Sequence, residues 1–203
     1  MIVAKKVLFI ACVLFFQASS PPKVILFYGD SLTAGYGLSP EEAFPALVEK
    51  NLNKTDKKVK VVNAGLSGET SAGGFSRIDW ILRQPVDIFV LELGGNDGLR
   101  GLPVNQTRKN LQGIIDKVKA KYPNCKIVLA GMMVPPNMGK EYTEEFKSVY
   151  PELAKKNKAT LISFILDGVG GIEKLNQPDG IHPNVEGHQI IASKITPVFE
   201  KLL

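Results

Sequence analysis

Two hydrophobic patterns alternate along the chain. Five short runs are almost continuously apolar and rich in β-branched residues: Lys23–Tyr28 (KVILFY), Val59–Asn63 (VKVVN), Asp87–Leu93 (DIFVLEL), Lys126–Gly131 (KIVLAG) and Thr160–Phe164 (TLISF). Runs of this kind, without polar alternation, mark strands buried on both faces of a parallel sheet. Between them, Leu111, Ile114, Ile115, Val118 and Tyr122 keep the i, i+3, i+4, i+7 spacing of one helix face, as do Tyr142, Phe146, Val149, Tyr150 and Leu153. Ser39-Pro-Glu-Glu42 reads as a capping box opening a helix, and Thr143 as the cap of a helix through Glu144 and Glu145. Pro45, Pro151 and Pro197 fall inside helical patterns and predict kinks or restarts. Strand followed by helix, five times over, predicts a doubly wound α/β domain with right-handed crossovers.

The first twenty residues break this rhythm. Lys5 and Lys6 precede an apolar run from Val7 to Phe16, and the small residues Ala18, Ser19 and Ser20 follow. That layout predicts a secretory signal over 1–20 and a single domain over 21–203, hence a periplasmic or secreted protein. Cleavage fits after Ala18 or Ser20, with Pro21 weighing against the second. The run is shorter than the roughly 20 apolar residues that span a bilayer. Cys12, following Phe9-Ile10-Ala11, offers a lesser alternative, a lipid anchor on that thiol.

Composition excludes several classes. Loss of Lys5 and Lys6 takes the 25 basic residues to 23 against 20 acidic, a net +3 in place of +5. These charges are dispersed, with no aromatic-interleaved basic run, so no nucleic-acid partner is expected. Only Cys125 remains, which removes a disulfide framework. The core must hold the domain together, and a chain of 203 residues with 44% apolar content can bury about 70% of its unfolded surface.

In a parallel sheet, ligands bind beyond the carboxyl ends of the strands. The loops there read GDSLTAGYG (29–37), AGLSGETSAGG (64–74), GGNDGLRG (94–101), MMVPPNMG (132–139) and QPDGIHP (177–183). They bring a hydroxyl, glycine amides, a carboxamide and an Asp–His pair to one edge, which are the requirements of acyl transfer. Ser31 is the candidate nucleophile, His182 its base, and Asp179 the carboxylate that orients the imidazole. Gly180 supplies the turn between the last two, and Asn184 can cap the helix that follows. The backbone N–H groups of Ser31 and Gly68 and the side-chain amide of Asn96 are candidate oxyanion donors. Asp30 and Asp97 are as suited to anchoring loop backbone as to touching substrate. His188, at helical spacing from Ile191 and Ile195, is expected to be a neutral packed residue. Asp179, His182 and His188 lack any regular metal-ligand spacing, so neither metal nor cofactor is expected. Met132, Met133, Val134, Pro135 and Pro136 can form an apolar wall beside the serine, or line the core.

Four of these blocks, FYGDSLTAGYG, NAGLSGETSAGG, LELGGNDGLRG and DGIHPNVEGH, resemble in order and content the signature blocks of the SGNH, or GDSL, hydrolases. The resemblance implies a three-layer, flavodoxin-like α/β/α fold with a five-stranded parallel sheet ordered 2-1-3-4-5. It implies the same roles for Ser31, Asp179, His182, Gly68 and Asn96. GDSLTAGYG, ELGGNDGLRG and DGIHPN are most similar to blocks of periplasmic bacterial members with arylesterase, acyl-CoA thioesterase and lysophospholipase activity. That implies a serine esterase of broad specificity for acyl esters and thioesters, with Leu99 to Val104 closing over the acyl chain. A carbohydrate deacetylase of the same family, or a non-catalytic flavodoxin-like binding protein holding phosphate or flavin, are the alternatives.

Overall fold

The computed structural model describes residues 21–203 apart from Asp56. The signal predicted over 1–20, with Cys12, therefore lies outside the described residues.

Five parallel strands, β1 (Lys23–Gly29), β2 (Val59–Asn63), β3 (Ile88–Glu92), β4 (Lys126–Ala130) and β5 (Thr160–Ile162), form one sheet in the order β2-β1-β3-β4-β5. The expected topology holds, and the strand limits agree with the apolar runs to within two residues. The central strands are the most apolar, as their burial on both faces requires: β3 is buried throughout and β1 from Ile25 onward. The edge strands β2 and β5 are more exposed.

Adjacent residues of β1 point into opposite layers. Phe27 meets Phe44 and Phe199 edge to face, on the side covered by α2 (Phe44–Leu52) and α7 (Val185–Leu202). Tyr28 packs beside Phe89 and donates its hydroxyl to the Gly74 carbonyl at 2.7 Å, on the side of α3 (Ser71–Ile81), α5 (Val104–Lys121) and α6 (Lys140–Asn157). Both predicted helix faces are in the core, with Tyr122 and Tyr142 at their partly exposed ends. Two short helices, α1 (Ser31–Ala34) and α4 (Gly95–Leu99), follow β1 and β3 directly.

Three local expectations need correction. The Ser39–Glu42 pair forms its hydrogen bonds, but they close a turn, and α2 begins only at Phe44. Thr143 lies inside the first turn of α6, donating to the Gly139 carbonyl, because the helix starts at Lys140. The prolines do not break their helices. Pro45 falls at the start of α2, where no N–H is needed, while α6 and α7 run on through Pro151 and Pro197. Both of these face solvent, as do Lys147 and Ser193 four residues earlier, so water can satisfy the carbonyls the prolines release. Among the described residues no helix is long and apolar enough to cross a membrane.

Candidate active site

The chain reverses direction across the sheet between β1 and β3, and the loops leaving these strands carry Ser31 and Asn96. Ser31 opens α1, where Asp30 caps by accepting the Leu32 N–H at 3.0 Å. This turn is held from below by Glu92 at the end of β3. One carboxylate oxygen of Glu92 accepts from Asp30 N–H at 3.2 Å and from Thr33 Oγ1 at 2.6 Å. Only glycine fits at position 29, since a Cβ there would lie 2.2 Å from Thr33 Oγ1 and 2.3 Å from Glu92 Oε2.

His182 arrives from the far end of the chain. Its Nε2 lies 2.9 Å from Ser31 Oγ and its Nδ1 lies 2.7 Å from Asp179 Oδ2. The carboxylate keeps a proton on Nδ1, which leaves Nε2 free to accept from the serine. Asp179 also closes its own loop, its Oδ1 accepting the N–H groups of Ile181 at 2.9 Å and His182 at 3.0 Å. Asn184 caps α7 immediately afterwards through the Gly187 N–H. His188 lies apart from the triad, 1% exposed, with Nδ1 accepting the Phe44 N–H at 3.0 Å. Burial lowers its pKa to about 4, so it is a neutral packed residue at physiological pH.

The loops bearing Gly68 and Asn96 are tied to each other. Asn96 Nδ2 donates to Asp30 Oδ2 at 3.2 Å and to the Glu69 carbonyl at 3.1 Å. Arg100 donates to the Gly68 carbonyl at 3.1 Å. Gly68 has φ +78°, a left-handed conformation that favours glycine. Glu69 takes a two-pronged contact from Arg77, and Asp97 accepts from Ser71 N–H, Ser71 Oγ and Thr107 Oγ1. Asp30 and Asp97 are thus loop anchors.

Beside Ser31 opens a cleft of about 530 Å³, lined by Leu99, Met132, Met133, Val134, Pro135 and Ile181 among others. Met132 and Val134 are nearly buried, whereas Leu99 and Met133 are about half exposed at the mouth. All four residues expected to bind substrate, Leu99, Met133, Val134 and Pro135, line this one cleft.

Glu92 was not singled out from the sequence, although a lone acid closing an otherwise apolar strand is itself a signal. It is completely buried, and its Oε1 has no hydrogen-bond partner among the described residues. Burial, and then the neighbouring Asp30 charge, push its pKa well above the usual carboxylate range. Burial also raises Asp30 to about 6, against the pull of Leu32, Asn96 and His182. Folded-state values above the unfolded ones mean that the folded chain binds more protons, so stability falls as pH rises until those values are passed. Glu92→Gln should therefore melt above the wild type at pH 8 but not at pH 4. An unchanged difference in melting temperature between the two pH values would show that Glu92 holds no proton.

A hydroxyl, an imidazole and a carboxylate linked in that order, at the carboxyl edge of a parallel sheet, are the machinery of acyl transfer, and they set the class as a serine hydrolase. The model of the GDSL-like Lipase/Acylhydrolase family matches residues 27–190, and the chain belongs to that family. It is 38% identical to Esterase TesA of Pseudomonas aeruginosa over 182 residues, spanning 89% of this chain and 90% of that protein. It is 39% identical to Thioesterase 1/protease 1/lysophospholipase L1 of Escherichia coli over 197 residues, spanning 97% and 91%. A crystal structure of TesA superposes with a TM-score of 0.84 at 38% identity, covering 89% of this chain and 100% of that one. The chain is a hydrolase of ester bonds.

Proposed function

We propose that this is an exported esterase of broad acyl specificity, which forms an acyl-enzyme on Ser31 and acts on carboxylic esters, thioesters and lysophospholipid-type substrates. The observation that carries the catalytic part is the continuous relay from Ser31 Oγ through the His182 ring to Asp179, with spacings of 2.9 and 2.7 Å. Ser31 attacks the carbonyl carbon as its proton passes to His182 Nε2. The oxyanion then takes hydrogen bonds from the Ser31 and Gly68 N–H groups and from Asn96 Nδ2, which shares protons already directed at Asp30 and Glu69. His182 returns the proton to the leaving oxygen or sulfur. A water, deprotonated by the same ring, then releases the acid and restores Ser31. No cofactor enters this cycle.

The acyl preference rests on the apolar lining of the cleft. Its volume and its half-exposed mouth suit a flexible chain more than the polar, open surface a carbohydrate deacetylase needs. Each buried methylene contributes about 0.8 kcal/mol, so kcat/KM should rise about two- to fourfold per methylene from acetyl upward until the cleft is filled. Matched p-nitrophenyl ester and thioester series would show this, and a maximum at acetyl would favour deacetylation instead. The names of the two relatives support both oxygen and sulfur leaving groups. Export rests on the signal-like pattern of residues 1–20. N-terminal sequencing of the mature protein from its native host should therefore give Ser19 or Pro21 as the first residue. Retention of Met1 would refute export by this route.

A further inference from the structure

Two side chains outside the triad hold the imidazole and its loop. The Tyr36 ring lies against the His182 ring, with centroids 4.6 Å apart and planes inclined by 39°. Tyr36 is 51% exposed, so core packing does not account for its position. Its backbone is fixed at both ends: its N–H donates to the Ser31 carbonyl at 3.0 Å, and its carbonyl accepts from Gln177 Nε2 at 2.7 Å. The same Gln177 nitrogen donates to the Pro183 carbonyl at 3.1 Å, and the Gln177 N–H donates to the His182 carbonyl at 2.7 Å. Position 37 leaves room for this amide, because a Cβ there would come within 2.3 Å of Gln177 Oε1. One side chain thus links the serine loop to the histidine loop across 141 residues of sequence.

We propose that Tyr36 and Gln177 form a positioning clip for catalysis: Gln177 sets the separation of the Ser31 and His182 loops, and the Tyr36 ring face holds and stabilises the imidazole once it is charged. This rests on the acyl-enzyme reading above. The imidazole becomes an imidazolium only as Ser31 gives up its proton, and an aromatic face attracts the cation more than the neutral ring. The interaction is therefore stronger in the transition state than in the resting enzyme, which is the condition for raising kcat. Among the described residues, Asp179 bonds the His182 Nδ1, and Asp30 and the more distant His188 interact with His182 through charge alone; the Tyr36 variants leave all three in place.

The test compares Tyr36→Phe, Tyr36→Leu and Gln177→Ala with the wild type and with Ser31→Ala, using p-nitrophenyl butyrate from pH 5 to 9 well below each melting temperature. Tyr36→Phe should keep activity within about twofold, since it keeps the ring face. Tyr36→Leu should lose about fivefold in kcat at unchanged KM, with the acid limb of its profile displaced to lower pH. Gln177→Ala should lose about tenfold in kcat, again at constant KM. Wild-type kcat and pH profile in Tyr36→Leu would overturn the ring's role, and equal losses in Tyr36→Phe and Tyr36→Leu would assign the effect to the hydroxyl instead. A Gln177→Ala variant that melts earlier but keeps full kcat would reduce the link to a structural one. Persisting activity in Ser31→Ala would sink the underlying reading and not the clip alone.

Discussion

Ser31→Ala is expected to lower kcat on p-nitrophenyl esters by at least about 10⁴-fold while leaving the fold and melting temperature nearly unchanged. The loss is large because, among the described residues, no other hydroxyl is hydrogen-bonded to His182 Nε2, which meets Ser31 Oγ at 2.9 Å. What activity survives comes from oxyanion donors and binding acting on attack by water. Stability is spared for local reasons. Ser31 is only partly buried, and Ala is well suited to the first position of α1, whose cap is the Asp30 carboxylate. Removing the hydroxyl leaves His182 lining an open cleft that water can enter, so no polar group is stranded. The expected stability change is within about 0.5 kcal/mol. Paired turnover and thermal-melting measurements check both halves, and retention of more than a few per cent of activity would move the nucleophile elsewhere.

The parts of this molecule legible in the sequence are those fixed by chain periodicity and by short-range chemistry. The strands could be read because sheet burial on both faces leaves few polar positions in β1, β3 and β4. The loops that follow them could be read because catalytic residue types are uncommon in such places. Asp179, Gly180 and His182 form one local turn, so their arrangement is nearly contained in that short stretch. The helix starts were harder. Ser39 and Glu42 make the contacts of a capping box, yet the segment around them is held by the rest of the fold, and α2 waits for Phe44. The supports of the site were harder still. Glu92 acquires its meaning from Asp30 and Thr33, 62 and 59 residues away, and Gln177 from Tyr36, 141 residues away. No local pattern carries such pairings. Arg100 and Arg77 belong to the same class, cations whose acceptors, a Gly68 carbonyl and a Glu69 carboxylate, are chosen by tertiary contact.

Asp179→Asn should cost about 10²–10⁴ in kcat, more than Asp179→Ala. The native carboxylate accepts three N–H groups: Oδ1 takes those of Ile181 and His182, and Oδ2 takes the ring Nδ1–H. An asparagine keeps its single oxygen best on the two backbone donors, which turns its NH₂ toward the ring. Nδ1 must then accept, the proton moves to Nε2, and His182 can no longer receive the proton of Ser31. Alanine imposes no such tautomer, because water can take the place of the lost carboxylate. Its loss is limited to orientation and to the countercharge of the imidazolium. The same contacts determine the pH behaviour. The His182 N–H, then the His182 ring, then the Ile181 N–H hold the Asp179 carboxyl down to about 2. A depressed folded-state value means that this carboxylate is present, with its stabilising contacts, above about pH 4 and is lost only as pH falls toward about 2. Asp179 therefore stays ionised across the pH range of the kinetic measurements, and its own protonation sets no limb of the activity profile. Kinetic profiles of wild type, Asp179→Asn and Asp179→Ala check this order. An alanine variant as inactive as the asparagine one would show that charge, and not the tautomer, is what Asp179 supplies.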